Sequence, residues 1–109
     1  MRIAIEGEVR ADAEARLLER VLAGPGFDLA AAGLRSHDVY LDGQRAVFVF
    51  DGVAPLQALR ALGAAHRREF QDMLAALPYV RVRVVGDAWR PPPLAHRFHW
   101  SAPPPVARV

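Results

Sequence analysis

Histidine is the residue type in this chain best suited to acid–base chemistry, because its side chain gains and loses a proton near neutral pH. His66 falls on the apolar stripe of a predicted helix, and His37 falls on the helix-facing side of a predicted strand. The two side chains are expected to approach each other beneath the sheet, as an acid–base pair or as half of a metal site. The alternative is that each is a core histidine bonded to backbone or to a buried water. Both are candidate catalytic residues, with His66 as the acid–base.

The other two histidines, His96 and His99, are three residues apart in a C-terminal segment bracketed by two runs of three prolines. Two ligands at this spacing would share a face if the segment became helical, which the flanking prolines disfavour. The chain has no cysteine, so thiolate metal sites and disulfides are excluded. The sequence therefore predicts no metal site, and no tightly held cofactor is expected.

A further group of polar side chains falls on the opposite side of the predicted strands: Glu6, Tyr40, Arg45, Arg81 and Arg83. The first and last strands are neighbours in the predicted topology, so Glu6 is expected to meet both Arg81 and Arg83. One interpretation is a set of cross-strand ion pairs on a wet surface. The other is the floor of a polar cavity, where arginine guanidinium groups select an anionic or hydroxylated ligand. Tyr40 is accordingly a third catalytic candidate, and the other four are candidate ligand-binding residues.

Alternating apolar and polar residues predict four strands, over residues 2–9, 36–41, 44–50 and 79–85. Asp42 and Gly43 stand between the second and third strands, and this dipeptide is typical of a type I′ hairpin turn. A two-residue loop at these positions places Val39 opposite Ala46. It also fixes which side chains face the helices.

Apolar residues at helical spacing predict two helices. The first follows Asp12, a good N-cap residue, and stops at the 24–26 Gly-Pro-Gly sequence. The second begins at Pro55, is bent or divided at Gly63, and ends before Pro78. The order strand, helix, strand, strand, helix, strand predicts an α+β, ferredoxin-like βαββαβ fold. Its four-stranded antiparallel sheet carries both helices on one face and leaves the other face uncovered.

Composition changes after this domain, which is predicted to span residues 1–88. Residues 89–109 form a Pro-rich extended C-terminal arm. Leu94, Phe98 and Trp100 make the arm too apolar to be left in water, so it docks on its own domain or crosses to a partner. The crossing arm is our hypothesis.

Overall composition limits the classes of partner. The 109 residues suit a single domain, and the 14 basic residues, all arginine, against 12 acidic ones give a formal net charge of only +2. This is not the charge pattern of a nucleic-acid-binding or anionic-membrane-binding surface. No apolar run approaches the roughly 20 residues of a membrane span. A cytoplasmic protein is expected, with which the lack of cysteine agrees.

The run of residues 37–50, followed by the interrupted helix through His66, resembles the dimeric α+β barrel superfamily. Its members include antibiotic-biosynthesis monooxygenases, stress-responsive barrel proteins and small isomerases and cyclases. The resemblance covers about residues 1–88. It implies a homodimer in which two sheets pack open face to open face. It also implies a pocket between each sheet and its helices or within the barrel.

The expected function is therefore that of a small-molecule enzyme or binding protein of the dimeric barrel type, resembling a cofactor-independent monooxygenase, cyclase or isomerase. The expected partners are a second copy of the chain and a small-molecule ligand. One alternative is a non-catalytic dimeric assembly or regulatory module. Another is RNA binding, since the RNA-recognition motif shares this strand order, but base stacking there needs aromatic side chains on the open face. Phe48 and Phe50 are predicted to face the helices instead.

Overall fold

The computed structural model describes residues 1–86 and 88–103 of the chain. These residues form five strands and three helices, with a short 3₁₀ turn ahead of the first helix. In chain order the elements are β1 (Arg2–Glu8), α1 (Glu14–Ala23), β2 (Leu34–Asp42), β3 (Arg45–Gly52), α2 (Pro55–Ala65), α3 (Arg67–Ala75), β4 (Tyr79–Val85) and β5 (His96–Ser101). None of these described helices is long and apolar enough to cross a membrane.

The five strands make one antiparallel sheet in the order β4-β1-β3-β2-β5. The prediction of an α+β fold with an antiparallel sheet and helices on one side is confirmed, and the arrangement is compatible with a ferredoxin-like fold. The sequence predicts four strands and two helices, whereas the structure has a fifth strand and a divided second helix. β5 comes from the Pro-rich segment and pairs with the edge of β2. The sheet of the described chain therefore extends past residue 88.

The second predicted helix is divided at His66 and not at Gly63. His66 has φ −124° and ψ 52°, outside the helical region, while Gly63 stays within α2. Gly63 has another role, because the ring of Phe70 lies 3.3 Å from the position that a β-carbon would occupy there. The missing side chain allows α3 to pack closely against α2.

The hairpin between β2 and β3 has a different register from the predicted one. Its loop is Gly43-Gln44, so Asp42 lies opposite Arg45 and every pair shifts by two residues along β3. Only the first loop position has a positive φ, 58° at Gly43, as in a type II′ turn. A shift of two residues keeps each side chain on its predicted face, because strand side chains alternate with a period of two.

Apolar side chains on one side of the sheet form the main core with the helices. Its buried members include Ile3, Val39, Phe48 and Phe50 from the sheet and Leu17, Val21, Leu59 and Leu62 from the helices. The helices do not cover β4 fully, and its Val82 and Val84 side chains are 48% and 71% exposed. The edge of the sheet at β4 therefore presents apolar surface to solvent.

The opposite face of the sheet is predicted to be uncovered, and this prediction is wrong. β4 and β5 lie at opposite edges, so the connection between them has to cross the sheet. Residues 88–95 of this connection, called the strap below, carry two large apolar side chains. Trp89 and Leu94 pack on a second buried cluster, made of Ala4, Tyr40, Val47 and Val49. The strap therefore occupies the middle of the face that a face-to-face dimer would use.

The C-terminal arm docks on its own chain. Phe98 and Trp100 pack against the main core, and the Arg97 Nε donates a hydrogen bond to the Leu41 carbonyl over 3.0 Å. Leu41 in turn donates its backbone N–H to the Ala95 carbonyl over 2.9 Å. The arm is thus held by backbone pairing as well as by apolar contacts. Residues 104–109 of the predicted arm lie outside the described residues.

Candidate functional site

A cavity of about 570 Å³ lies between the helix-facing side of the sheet and the helices. Its walls are mostly apolar, with five prominent members: Phe48, Phe50, Phe70, Met73 and Phe98. Residues 24–26 form one wall with two glycines and a proline, which leave space that larger side chains would fill. Three charged side chains that contact the cavity are exposed and so lie at its rim: Arg20, Arg60 and Glu69. The volume lies within the range of small-molecule sites.

His37 is the buried polar side chain in the wall of this cavity. Its ring stacks on Phe50 with centroids 4.1 Å apart, and its Nδ1 lies 2.9 Å from the Val49 carbonyl oxygen. A carbonyl oxygen can only accept, so Nδ1 carries the hydrogen. Among the described residues Nε2 has no protein partner, and every fully buried side-chain nitrogen or oxygen does have one. Nε2 is therefore not fully buried, and it belongs to a residue that lines the cavity.

Burial lowers the pKa of His37 below its ordinary value, an effect opposed in part by the hydrogen bond to Val49 and by the charge of Asp38. The ring is therefore neutral at pH 7. With the hydrogen fixed on Nδ1, Nε2 keeps an unshared electron pair that can accept a hydrogen bond. The cavity thus combines mostly apolar walls with a buried side chain, His37, that can accept a hydrogen bond.

The lowered pKa of His37 predicts a loss of stability in acid. In the unfolded chain the group returns to its ordinary pKa near 6.5, so below this pH the unfolded state binds more protons than the folded state. The stability linked to neutral His37 is complete above pH 6.5 and falls as the pH drops below it, by at most about 1.4 kcal/mol per pH unit.

Urea unfolding of wild type and of His37→Asn between about pH 7 and pH 5 measures this effect, because asparagine does not titrate. The wild-type free energy of unfolding should fall more steeply with decreasing pH than that of the variant. Parallel curves would show that His37 carries no such linkage.

His66 lies at the junction of α2 and α3 and is half-buried. Its ring stacks on Phe27 with centroids 4.7 Å apart, and its backbone N–H donates to the Leu62 carbonyl over 2.8 Å. Phe27 lines the cavity, whereas His66 lies behind it and is not among the described lining residues. The structure therefore places His37 at the cavity and His66 outside it.

Tyr40 lies on the other side of the sheet, beneath the strap. It stacks on His96 at 4.6 Å and meets the edge of Trp89 at 6.3 Å. Burial raises the pKa of Tyr40, and the charge of Asp38 raises it further, against a smaller opposite effect of Arg2. Tyr40 is thus a neutral phenol at pH 7, separated from His37 by the thickness of the sheet.

The charged candidates on the strap side lie toward the β1 and β4 edge of the sheet. Glu6 accepts from the Arg81 Nη2 at 3.1 Å and lies 3.7 Å from the Arg83 Nε, which confirms the predicted meeting of these residues. Such exposed pairs contribute little to stability. Glu6, Arg45 and Arg81 also line a shallow depression of about 290 Å³ beside Tyr79.

A second cluster was not predicted as a site. Asp38 Oδ1 lies 2.9 Å from the His96 Nε2 and 2.7 Å from the His99 Nδ1. The sequence predicts that His96 and His99 would need a helix to share a face, and this prediction is wrong because a β-bulge brings them together instead. The i, i+3 histidine spacing was visible in the sequence, but the pairing of β5 with β2 was not.

Together, the fold and cavity define a small α+β protein whose antiparallel sheet forms a mostly apolar cavity with the helices on one side. Comparison of the chain with protein-family models, with curated proteins and with solved structures found no match.

Proposed function

We propose that this protein binds an apolar small molecule that carries one hydrogen-bond donor, such as a hydroxyl group, in the cavity between sheet and helices. The observation that carries the proposal is the neutral His37 ring in the wall of a mostly apolar cavity, with its Nδ1 hydrogen bound to Val49 and its Nε2 left to accept. An apolar body would gain from leaving water, while the donor would be satisfied by Nε2. A mostly apolar pocket with a small number of polar groups is the usual pattern of a small-molecule site, in which the polar groups orient the ligand.

The same residue is the natural candidate for catalysis in an enzyme of the monooxygenase, cyclase or isomerase kind. It would take a proton from the ligand donor onto Nε2 and become an imidazolium. Burial disfavours that charged form and for this reason lowers the pKa of His37. The geometry therefore supports ligand binding more strongly than general-base catalysis, and we propose binding as the function.

Calorimetric titration of the full chain with naphthol and with naphthalene tests the proposal. The two probes share an apolar body and differ by one hydroxyl group. We expect naphthol to bind saturably with one site per chain, and more tightly than naphthalene. Lack of saturable binding by both probes would contradict an apolar site, and equal affinities would contradict the role of Nε2.

We also propose that the protein forms a homodimer, and that β4 mediates it. The strap occupies the centre of the face that the dimeric barrel resemblance implies as an interface. β4 is an edge strand of seven residues, and its helix-side valines, Val80, Val82 and Val84, are 44%, 48% and 71% exposed. An exposed apolar edge favours pairing with a second strand. Pairing of β4 with its copy about a twofold axis would continue the sheet and place these valines beside those of the second copy, as cross-strand apolar pairs.

Light scattering during size-exclusion chromatography tests the dimer. Val82→Glu would bury a carboxylate in the proposed interface and is expected to give a monomer where wild type gives a dimer. Val53→Glu is the matched control, since Val53 is 74% exposed and lies outside β4. Wild type that remains monomeric at every concentration, or dimers unaffected by Val82→Glu, would contradict the proposal.

A further inference from the structure

Asp38, His96 and His99 come together because β5 contains a β-bulge. Asp38 pairs with His99, Val39 pairs with Phe98, and Tyr40 pairs with His96, so the intervening residue of β5 has no partner on β2. Residues three apart in a regular strand point to opposite faces. One extra residue removes that alternation and turns both imidazoles to the strap side of the sheet, beside Asp38.

The distances within this cluster are hydrogen-bond distances, slightly shorter than the edges of a metal coordination polyhedron. The three ligand atoms all lie within 4.8 Å of one another, and the carboxylate oxygen is 2.9 Å and 2.7 Å from the two ring nitrogens. Ligands bonded to Zn²⁺ at about 2.1 Å lie about 3.0 Å apart at a right angle and about 3.4 Å apart at the tetrahedral angle. Small outward shifts of the three side chains would therefore admit an ion.

The surroundings hold these ligands in place and leave one side open. The His96 ring stacks on Tyr40, which is itself buried beneath the strap. The Asp38 side chain is 21% exposed, whereas the side chains of His96 and His99 are 46% and 55% exposed. The carboxylate would bind the ion on its buried side, and the two imidazoles would bind it nearer to solvent. The coordination positions that face solvent would stay open to water or another ligand.

We infer that Asp38, His96 and His99 form a binding site for a divalent first-row transition-metal ion. Two imidazole nitrogens and one carboxylate oxygen are a ligand set used by zinc and by non-haem iron sites with open positions. His96 and His99 are 58 and 61 residues from Asp38 in the sequence. The ion links β5 to β2. It therefore fastens the C-terminal segment to the sheet, on the side opposite the apolar cavity.

Zn²⁺ titration by calorimetry of the untagged full chain tests this site, with Co²⁺ absorption to report the coordination geometry. We expect one Zn²⁺ per chain and a rise in Tm of several degrees, roughly 5–15 °C at saturation, because the ion binds only the folded arrangement. His99→Gln should weaken binding more than about 100-fold, since loss of an outer partner alone costs 10–100-fold. Asp38→Asn should also weaken binding and alter the Co²⁺ spectrum.

His66→Gln is the matched control, because it removes one histidine outside the cluster and should leave Zn²⁺ affinity unchanged. His99 is more than half exposed, so its variant should keep the fold, which circular dichroism checks. The inference is overturned if Zn²⁺ does not bind stoichiometrically, or if His99→Gln binds it as tightly as wild type. It is also overturned if His66→Gln is affected as strongly as His99→Gln.

Discussion

Replacing His37 by asparagine is expected to weaken naphthol binding about tenfold, or by about 1.4 kcal/mol, and to leave naphthalene binding unchanged. The asparagine amide occupies nearly the position of the imidazole Nδ1, so it can still donate to the Val49 carbonyl, as Nδ1 does over 2.9 Å. What disappears is Nε2. The hydroxyl group of naphthol then enters an apolar cavity without an acceptor, whereas naphthalene never used one. Calorimetric titration of both ligands against both proteins measures the difference.

His37→Gln provides the complementary variant. Its amide lies near the position of Nε2, so it returns an acceptor to the cavity but leaves the Val49 carbonyl without its donor. We expect it to recover part of the naphthol affinity while lowering the free energy of unfolding. If His37→Asn weakens both ligands equally, the variant has changed the shape of the cavity and Nε2 has no specific role.

The sequence could place His37 on the helix-facing side of the sheet because side chains alternate between the two faces along a strand. The face therefore depends only on whether a residue is an odd or an even number of positions from its neighbours. The predicted loop at Asp42-Gly43 was displaced by one residue, yet every side chain of the hairpin kept its face. The pairing partners were wrong, since they depend on which residue takes the positive φ. In this hairpin Gly43 takes it at the first loop position, followed by Gln44.

The strap and β5 could not be predicted in the same way, because nothing in their own sequence indicates which strand or surface they contact. Leu94, Phe98 and Trp100 indicated an arm that had to be covered, but not which surface covers it. In the structure Phe98 and Trp100 join the main core, while Leu94 joins the cluster on the other face. That division depends on strand pairing between segments about 60 residues apart, and pairing at such separation is a property of the whole fold.

The cluster of Asp38, His96 and His99 also depends on strand pairing that the sequence does not reveal. The prolines of the C-terminal segment disfavour a helix, as the structure confirms, and without a helix the i, i+3 spacing of the histidines predicts opposite faces. A bulge supplied the shared face without a helix. Bulges arise from the mismatch of two paired strands, so a single strand read alone does not reveal them.

Replacing Gly24 by alanine is expected to destabilise the protein by about 2–4 kcal/mol. Gly24 ends α1 with φ 78° and ψ 169°, a conformation that is essentially restricted to glycine. A β-carbon there would also lie 3.2 Å from the Phe98 Cε2, so the ring would have to move. Phe98 holds β5 against the core and lines the cavity, so the strain would spread to both.

Urea unfolding separates the two causes. Gly26→Ala in the same loop is the control, because its β-carbon meets nothing within 4 Å and its φ is not positive, so it should be neutral or stabilising by up to about 1 kcal/mol. In a Phe98→Leu background the smaller side chain leaves room at position 24, so Gly24→Ala should cost less than it does in wild type. A cost that is the same in both backgrounds would assign the whole effect to the backbone of Gly24. Equal effects of Gly24→Ala and Gly26→Ala would contradict the contact between α1 and β5 on which the cavity wall depends.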